Sequence, residues 1–536
     1  MLSQHSPFDS LQVQLINSLA AMEHAVPEPC YTCRNRRIQC DQSGIPCTKC
    51  EKAGLECFDK RPLRWVKGVA IRGKMQGRSY ERRAGASTAK SELAVSRPGN
   101  RQAQAVKMVH CENQDLFQGP MSIIPLALQD PAISNLDRVS KYYIDYYNDR
   151  ICKLFIVYDS DRNPFRSLIS LGLKDPVLLK AILALAARHN ANTGHSFYQH
   201  DEPKSPIFIH ANRDAFLFKH QAMEALSRAL SRSTVDIQDT KVAGIFLLIF
   251  LDLLESGSDG WNFHLEGAKS LIASHRLLPV AQPGINQGAG QTINEIRDFI
   301  TKQIHLIETL GATFLRPKLL SQFTSAQDLK LQETIEKSFL GCPEYLLMAI
   351  QSLSAQRDRI AESVPLDDTA TRSHIQDVTT KIASIQCFDC ESWVSSLYSP
   401  QPSAQKTSNL VMLSQSYKLG ALIYGRRVSD ALCEKVTQQD ELVAELLGLI
   451  DALRGDQALF KCVLWPMIVA GLECRQQAQR EFLTGCLEEF WVATNCLNVI
   501  NAAKILQGYW LQDSFEGASS GWIFDIGRLG RDWLLI

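Results

Sequence analysis

Long hydrophobic runs are missing from this sequence. The longest, Val242 to Leu254, holds 13 residues and includes Asp252; it is too short to span a bilayer and predicts a buried helix. Residues 1–25 lack a basic start and a continuous apolar run, so no secretory signal is expected and a reducing compartment is the default. No 20–50-residue repeat recurs, which argues against a regular solenoid, and strand signals are sparse. Net charge is absent too: 57 Lys and Arg balance 57 Asp and Glu over 536 residues, a whole-chain balance that would hide a nucleic-acid binder. No acid/base or nucleophile set stands out, so no enzyme is expected, and no acidic activation run is present.

What is present is unevenly spread. Between Glu28 and Arg83 there are 14 Lys and Arg against 6 Asp and Glu, a local balance of +8, leaving −8 on the rest. A short basic stretch on a mildly acidic body suggests a polyanion-binding arm joined to a domain with another task. Hydrophobic residues make up 45% and charged residues 21%, ordinary for a globular protein. The length exceeds one typical core.

Four regions follow from composition and periodicity. Residues 1–27 form a tail in which Phe8, Leu11, Leu15, Leu19 and Met22 mark a modest amphipathic helix. Residues 28–60 hold a cysteine-rich module. Residues 61–119, rich in Arg, Lys, Gly, Ser and Gln and broken at Arg97-Pro98-Gly99, read as a basic flexible linker. From about Pro120 to residue 536 the pattern is helical. Asp175-Pro176 is an N-cap followed by a first-turn proline, and it introduces the stripe Val177, Leu178, Ala181, Ile182, Leu185 and His189. Phe218, Ala222, Leu226 and Leu230 mark another. The fold class expected is mostly α: a small N-terminal metal module, the linker, and a large all-α domain.

Six of the 16 cysteines fall between Cys30 and Cys57, with the same half-pattern twice: C-x2-C-x6-C, from Cys30, Cys33 and Cys40, then from Cys47, Cys50 and Cys57. A C-x2-C pair puts two sulfurs near one metal, and the third returns after a helical turn. Tetrahedral zinc wants four ligands and each half offers three. Two zinc ions have eight coordination places, so six thiolates fill them only if two are shared. No histidine lies between Cys30 and Cys57, which leaves an all-sulfur set. RING and LIM modules need longer spacers, and a four-cysteine ribbon leaves two thiols unexplained.

The matching text is Cys30-Tyr-Thr-Cys33-Arg34-Asn-Arg36-Arg37-Ile38-Gln39-Cys40-Asp41, then Pro46-Cys47-Thr-Lys49-Cys50, ending at Cys57. It resembles the fungal Zn(2)-C6 binuclear zinc cluster transcription factors. The resemblance implies two zinc ions with Cys30 and Cys47 as bridging ligands, one ion taking Cys30, Cys33, Cys40 and Cys47, the other Cys47, Cys50, Cys57 and Cys30. It also implies that Arg34, Arg36 and Arg37 are presented to the major groove of double-stranded DNA, reading a CGG-type triplet, with Lys49 among the contacts. Physically, an arginine fork matches guanine O6 and N7; contact with phosphate alone is the plainer alternative. Two departures stand out: Gln39 replaces a usual lysine, and Pro46 directly precedes Cys47 where a one-residue gap is common.

Arg64, Lys67, Arg72 and Lys74, with Trp65 among them, suit an extended arm along phosphates, or a linker that doubles as a nuclear import signal. No heptads follow the cluster, so binding as a monomer and dimerising through the large domain both stay open. Tyr142-Tyr143, Asn163-Pro164-Phe165-Arg166, Leu179 to His189, Trp261 to Ala268, Gly341-Cys342-Pro343-Glu344 and Trp465-Pro466 through Gly471 are similar to the helical fungal-specific transcription factor domain. That likeness implies a regulatory domain in a nuclear regulator, which meets transcription machinery or co-regulators and no membrane. Control of secondary metabolism or drug resistance is the pathway it suggests.

Other signals carry less. Cys387-x2-Cys390 has no second pair nearby and reads as structural. Gly517-Ala-Ser-Ser-Gly521 matches a nucleophile elbow, but the last histidine is His374, ahead of it. Gly284, Gly288 and Gly290 read as a surface turn, and His189 and His264 as packed residues. The rival reading is a zinc-dependent protein-interaction module or chromatin co-regulator; it gives no reason for three arginines and no acids between Cys33 and Cys40.

Overall fold

The computed structural model describes residues 30, 32–33, 36, 38–41, 47–55 and 57. It then describes 133, 135–198, 205–231, 238–258, 260–276, 287–315, 335–361, 368–397, 403–516, 521–526 and 532–536. The chain divides into two units, Met1–His110 and Cys111–Ile536. The expected tail helix around Phe8 to Met22 and the linker of residues 61–119 lie outside the described residues.

In the first unit the described residues include the helix α1 (Thr48–Lys52). The second is helical throughout: among the described residues there is no strand, only an isolated bridge between Ser258 and Trp533. Its longer helices are α2 (Arg138–Tyr146), α3 (Pro164–Gly172), α4 (Pro176–Asn192), α5 (Pro206–Ser231), α6 (Gln238–Glu255), α7 (Trp261–Arg276) and α8 (Gln287–Ala312). Then follow α9 (Glu344–Ile360), α10 (Asp368–Gln386), α11 (Cys390–Ser396), α12 (Ala404–Cys433), α13 (Asp440–Leu453), α14 (Leu464–Gly471), α15 (Gln477–Thr494) and α16 (Leu497–Glu516).

Helix α4 sits between α5 and α6. Asp175 caps it, accepting from the N–H groups of Val177 and Leu178 at 2.8 and 3.0 Å, while its other oxygen accepts from Thr240 Oγ1 at 2.8 Å and ties the cap to α6. Every residue from Ala181 to Asn192 is buried, and the alanines among them let neighbours approach closely. The apolar run at Val242 to Leu254 is the buried helix α6, as its length implied. Phe155, Phe165, Phe246, Phe250, Phe299 and Phe339 interlock beside it, with ring centroids from 4.3 Å apart (Phe155–Phe250), mostly edge to face.

Helix α12 organises the second half, packing on α9, α10, α13 and α14. Tyr417 stacks on Trp465 at 6.0 Å, and Gly420 lies under the same indole so closely that a Cβ there would come within 2.7 Å of it. The Trp465 indole N–H donates to Thr313 Oγ1 at 2.9 Å, joining α14 to the end of α8. Residues 532–536 pack into the core: Leu534 N–H donates to Gly257 O at 2.6 Å, and the Trp261 indole donates to Asp532 O at 3.1 Å.

Two sequence expectations change here. Leu230 is 49% exposed and drops out of the stripe begun by Phe218, because each four-residue step drifts about 40° around the helix and the inner face passes to Ala225 and Ala229 instead. Gly288 and Gly290 fall within α8 rather than in a surface turn, because an amphipathic pattern from Ile296 to Leu310 carries the helix past the poor local propensity of glycine. Gly284 lies outside the described residues.

Candidate metal centre and nucleic-acid interface

The duplicated spacing produces duplicated local structure. Cys47 is the N-cap of α1, and Cys50 N–H donates to Cys47 O at 3.0 Å, so the x2 spacer makes one turn and returns the second sulfur beside the first. In the other half, Thr32 and Cys33 are helical and Cys33 N–H points at Cys30 Sγ, 3.3 Å away. Each turn closes the same way. Ile38 N–H donates to Cys33 O at 3.2 Å, and Leu55 N–H, 17 residues later, donates to Cys50 O at 3.0 Å. Gly54, at φ +61°, supplies the left-handed residue that ends α1.

These turns bring Cys30, Cys33, Cys47 and Cys50 together, all buried. Their sulfurs lie 3.8 Å (Cys30–Cys47), 3.8 Å (Cys30–Cys50), 3.6 Å (Cys33–Cys47) and 3.7 Å (Cys33–Cys50) apart. Zn–S bonds of about 2.3 Å give tetrahedral edges of roughly 3.8 Å, so the spacings are those of zinc-bound thiolates; the group differs from the expected sets in that Cys33 and Cys50, assigned to different ions there, also lie side by side. Cys40 and Cys57 flank the group, half-buried, and Cys57 Sγ receives Cys47 N–H at 3.5 Å. All six sequence-predicted ligands therefore meet in one place. Asp41 joins them unforeseen: its carboxylate lies within 4.8 Å of the Cys40 and Cys47 sulfurs. An acid beside the third cysteine was visible in the sequence, without a spacing rule to single it out.

Burial opposes ionisation of these thiols. At Cys30 the Cys33 N–H and neighbouring thiols overcome it and hold the pKa below the usual thiol value; at Cys47 the Cys50 N–H and neighbouring thiols do the same. Cys33 is pushed up to about 12, and Cys50 is raised likewise, mainly by burial. A divalent cation removes that penalty, since its charge replaces the lost solvation and it binds the thiolate form.

Basic and acidic side chains both lie exposed around the sulfurs, Asp41 and Glu51 among them. Arg36 and Lys49 are exposed, and so is Lys52, which the sequence reading did not select. Arg34 and Arg37, and the arm residues Arg64, Lys67, Arg72 and Lys74, lie outside the described residues. The 17-residue repeat makes the asymmetry plain: positions matching Arg34, Arg36 and Arg37 in the second half are Glu51, Ala53 and Gly54.

The discounted signals stay outside any centre. No group of three metal-ligating side chains includes Cys387 or Cys390 among the described residues. His189 is packed, its Nδ1 2.8 Å from Tyr146 Oη, and burial pushes its pKa down to about 4. His264 is pushed to about 4 by burial as well, beside Asp252 at 3.6 Å.

A small six-cysteine module followed by a large helical domain defines a class of regulator, and comparison with known proteins agrees. Residues 142–536 match the fungal specific transcription factor domain, and residues 28–65 match the fungal Zn(2)-Cys(6) binuclear cluster domain. The chain belongs to the fungal Zn(2)-Cys(6) transcription factor family. It is similar to the acriflavine sensitivity control protein acr-2 of Neurospora crassa, 24% identical over 380 residues, 70% of this chain and 62% of that protein. The chain thus spans under two thirds of that relative's length. Over 43 residues, 8% of this chain and 6% of the other, it is 49% identical to the transcriptional regulatory protein pro1 of the same organism. No solved structure matches it. The family motifs in the second unit are structural: Asn163 caps α3 through Phe165 N–H and donates to Cys152 O at 2.8 Å, and Gly341 sits at φ +65°.

Proposed function

We propose that this chain is a nuclear, zinc-dependent, sequence-specific DNA-binding regulator of transcription. Cys30, Cys33, Cys40, Cys47, Cys50 and Cys57 hold two zinc ions, with Cys30 and Cys47 shared. Bound zinc supplies scaffold energy and no reaction. Arg34, Arg36 and Arg37 read a CGG-type triplet in the major groove, Lys49 supports them, and Arg64, Lys67, Arg72 and Lys74 follow the phosphate backbone. The helical domain of residues 120–536 regulates this module through transcription machinery or co-regulators. The relative named for control of acriflavine sensitivity supports a role in resistance to toxic compounds.

One observation carries the reading: buried sulfurs spaced as zinc-bound thiolates are, with three arginines in one half of an otherwise duplicated unit and none in the other. Zinc needs the sulfurs but not the arginines. A protein-interaction module would have no use for Arg34, Arg36 and Arg37 where its own repeat carries Glu51, Ala53 and Gly54.

The test is selection of binding sites from random duplex DNA by the full chain, with and without chelator. A CGG-containing consensus is expected with zinc, and none without it. Arg37→Ala should relax preference at one base by about 1–3 kcal/mol. Lys67→Ala should weaken all duplexes alike and flatten the salt dependence by about one phosphate contact. Recovery of no consensus by the zinc-loaded chain would favour the interaction-module reading.

A further inference from the structure

A cavity of about 210 Å³ lies in the helical domain between α8, residues 335–342, the first turn of α9 and α11. Its walls are largely apolar: Phe299, Leu306, Ile335, Leu347, Trp393 and Leu397. One wall is fixed by bonds of its own. The Gln303 amide donates to Lys337 O at 3.3 Å and accepts from Phe339 N–H at 3.2 Å, and Gly341 N–H donates to Ser338 Oγ at 2.9 Å. The space is therefore built into the packing. It exceeds the roughly 150 Å³ cavity that takes up benzene, so an apolar body of one or two rings fits.

The charges along the cavity are unequal. Three carboxylates line it, Glu295, Asp298 and Glu344, against two ammonium groups, Lys302 and Lys337. Lys337 pairs with Glu295 at 3.5 Å, where both side chains are largely exposed. Glu344 stands in the first turn of α9, where a carboxylate offsets the positive end of the helix. Lys302 has an interaction of its own. Asp298 differs from all of these. It is half-buried and, among the described residues, makes no hydrogen bond and no ion pair. The adjacent Arg297 is committed elsewhere, donating to both oxygens of Asp239 at 2.6 Å each. His305 supplies no charge at neutral pH, since burial pushes its pKa below the ordinary value. A lone half-buried carboxylate beside apolar walls favours an organic cation, whose charge it meets while the walls take the apolar body. An organic anion of the same shape would meet a like charge.

We infer that this cavity binds a small apolar amine in its protonated form, with Asp298 as the counter-ion and the Phe299 and Trp393 rings lining the space for its body. The site needs only the helical domain and stands apart from how the zinc module reads DNA.

Equilibrium dialysis of the full zinc-loaded chain against tryptamine tests it, with indole-3-acetate as the anion and 3-methylindole as the neutral body of similar size. One tryptamine per chain is expected, with a dissociation constant below about 100 μM. Both comparators should bind at least about tenfold more weakly. Asp298→Asn should weaken tryptamine about tenfold and leave 3-methylindole within about twofold. Asp298→Lys should reverse the preference, so that indole-3-acetate binds better than tryptamine. Both substitutions fall at a half-buried position and leave the apolar walls unaltered. Absence of saturable tryptamine binding, equal binding of the three compounds, or an Asp298→Asn chain that holds tryptamine as well as wild type would each overturn the proposal.

Discussion

Replacing Arg427 by methionine should destabilise the helical domain more than its volume change suggests. The Arg427 side chain, 2% exposed, lies on α12. Its guanidinium donates through Nε and Nη2 to both oxygens of Glu473, and through Nη1 to Asp430 Oδ2 at 2.7 Å and Thr437 O at 2.9 Å. Burial alone would depress the guanidinium's pKa, but the two carboxylates overcome this and raise it. Methionine removes the cation that both carboxylates share and strands Asp430 and Glu473, 7% and 5% exposed. Asp430 keeps the Thr437 N–H and hydroxyl, at 2.9 and 2.7 Å, whereas Glu473 keeps the Trp522 indole at 2.7 Å. The loss therefore falls mainly on Glu473. Breaking a buried pair from one side costs about 3–5 kcal/mol, while replacing both partners is often near neutral. Arg427→Met should therefore lower the thermal midpoint by on the order of 5 °C. Arg427→Met with Glu473→Gln should recover most of that. Circular dichroism melts of the full chain with both single variants and the double complete the cycle. Additive losses, or an Arg427→Met chain within about 1 kcal/mol of wild type, would refute the stranded-charge reasoning.

Other expectations follow from the same packing. Cys50→Ser, or chelation, should abolish DNA selection while leaving the helical domain's melting unchanged; zinc analysis and circular dichroism read the two effects separately. His189, held near 4 against an ordinary 6.5, takes up its proton more readily when unfolded, so its contribution is intact above pH 6.5 and is lost as pH falls towards 4. His189→Gln should therefore flatten the pH dependence of stability in that window, by at most about 3 kcal/mol in denaturant titrations; an unchanged slope would remove His189 from it. Gly420→Ala should cost about 1–3 kcal/mol in the same titrations, since its Cβ meets the Trp465 ring at 2.7 Å and a core indole has little room to move. A neutral result would mean that the indole gives way freely.

The parts legible in the sequence are those whose physics is local. Asp175-Pro176 announces α4 because a cap acts on the next two N–H groups, and both bonds are present. Val242 to Leu254 announces α6 because a buried helix needs apolar residues on every side. The six cysteines announce their meeting because a two-residue spacer is one turn. What stayed hidden depends on partners far along the chain. Arg427 and Glu473 are 46 residues apart, and nothing near either marks it as paired. Trp465 and Thr313 are 152 apart. Leu230 belonged by four-residue spacing to the inner stripe of α5, yet each such step drifts about 40° around the helix, and three of them carry it off the face where Ala229 still packs. Gly288 and Gly290 misled because helix continuation is settled by the burial of later turns.

The two units differ in what holds them. Among the described residues of the first unit, the buried ones are four cysteines, with Cys40 and Cys57 packed against them. Among the described residues no aliphatic or aromatic side chain joins that cluster, and a module this small draws its folding energy from metal coordination, about 10–16 kcal/mol for a structural zinc site. The second unit carries its own extensive apolar core, from Tyr143 to Ile536, and needs no metal for it. Loss of metal should therefore undo the fold of the first unit while leaving the core of the second intact.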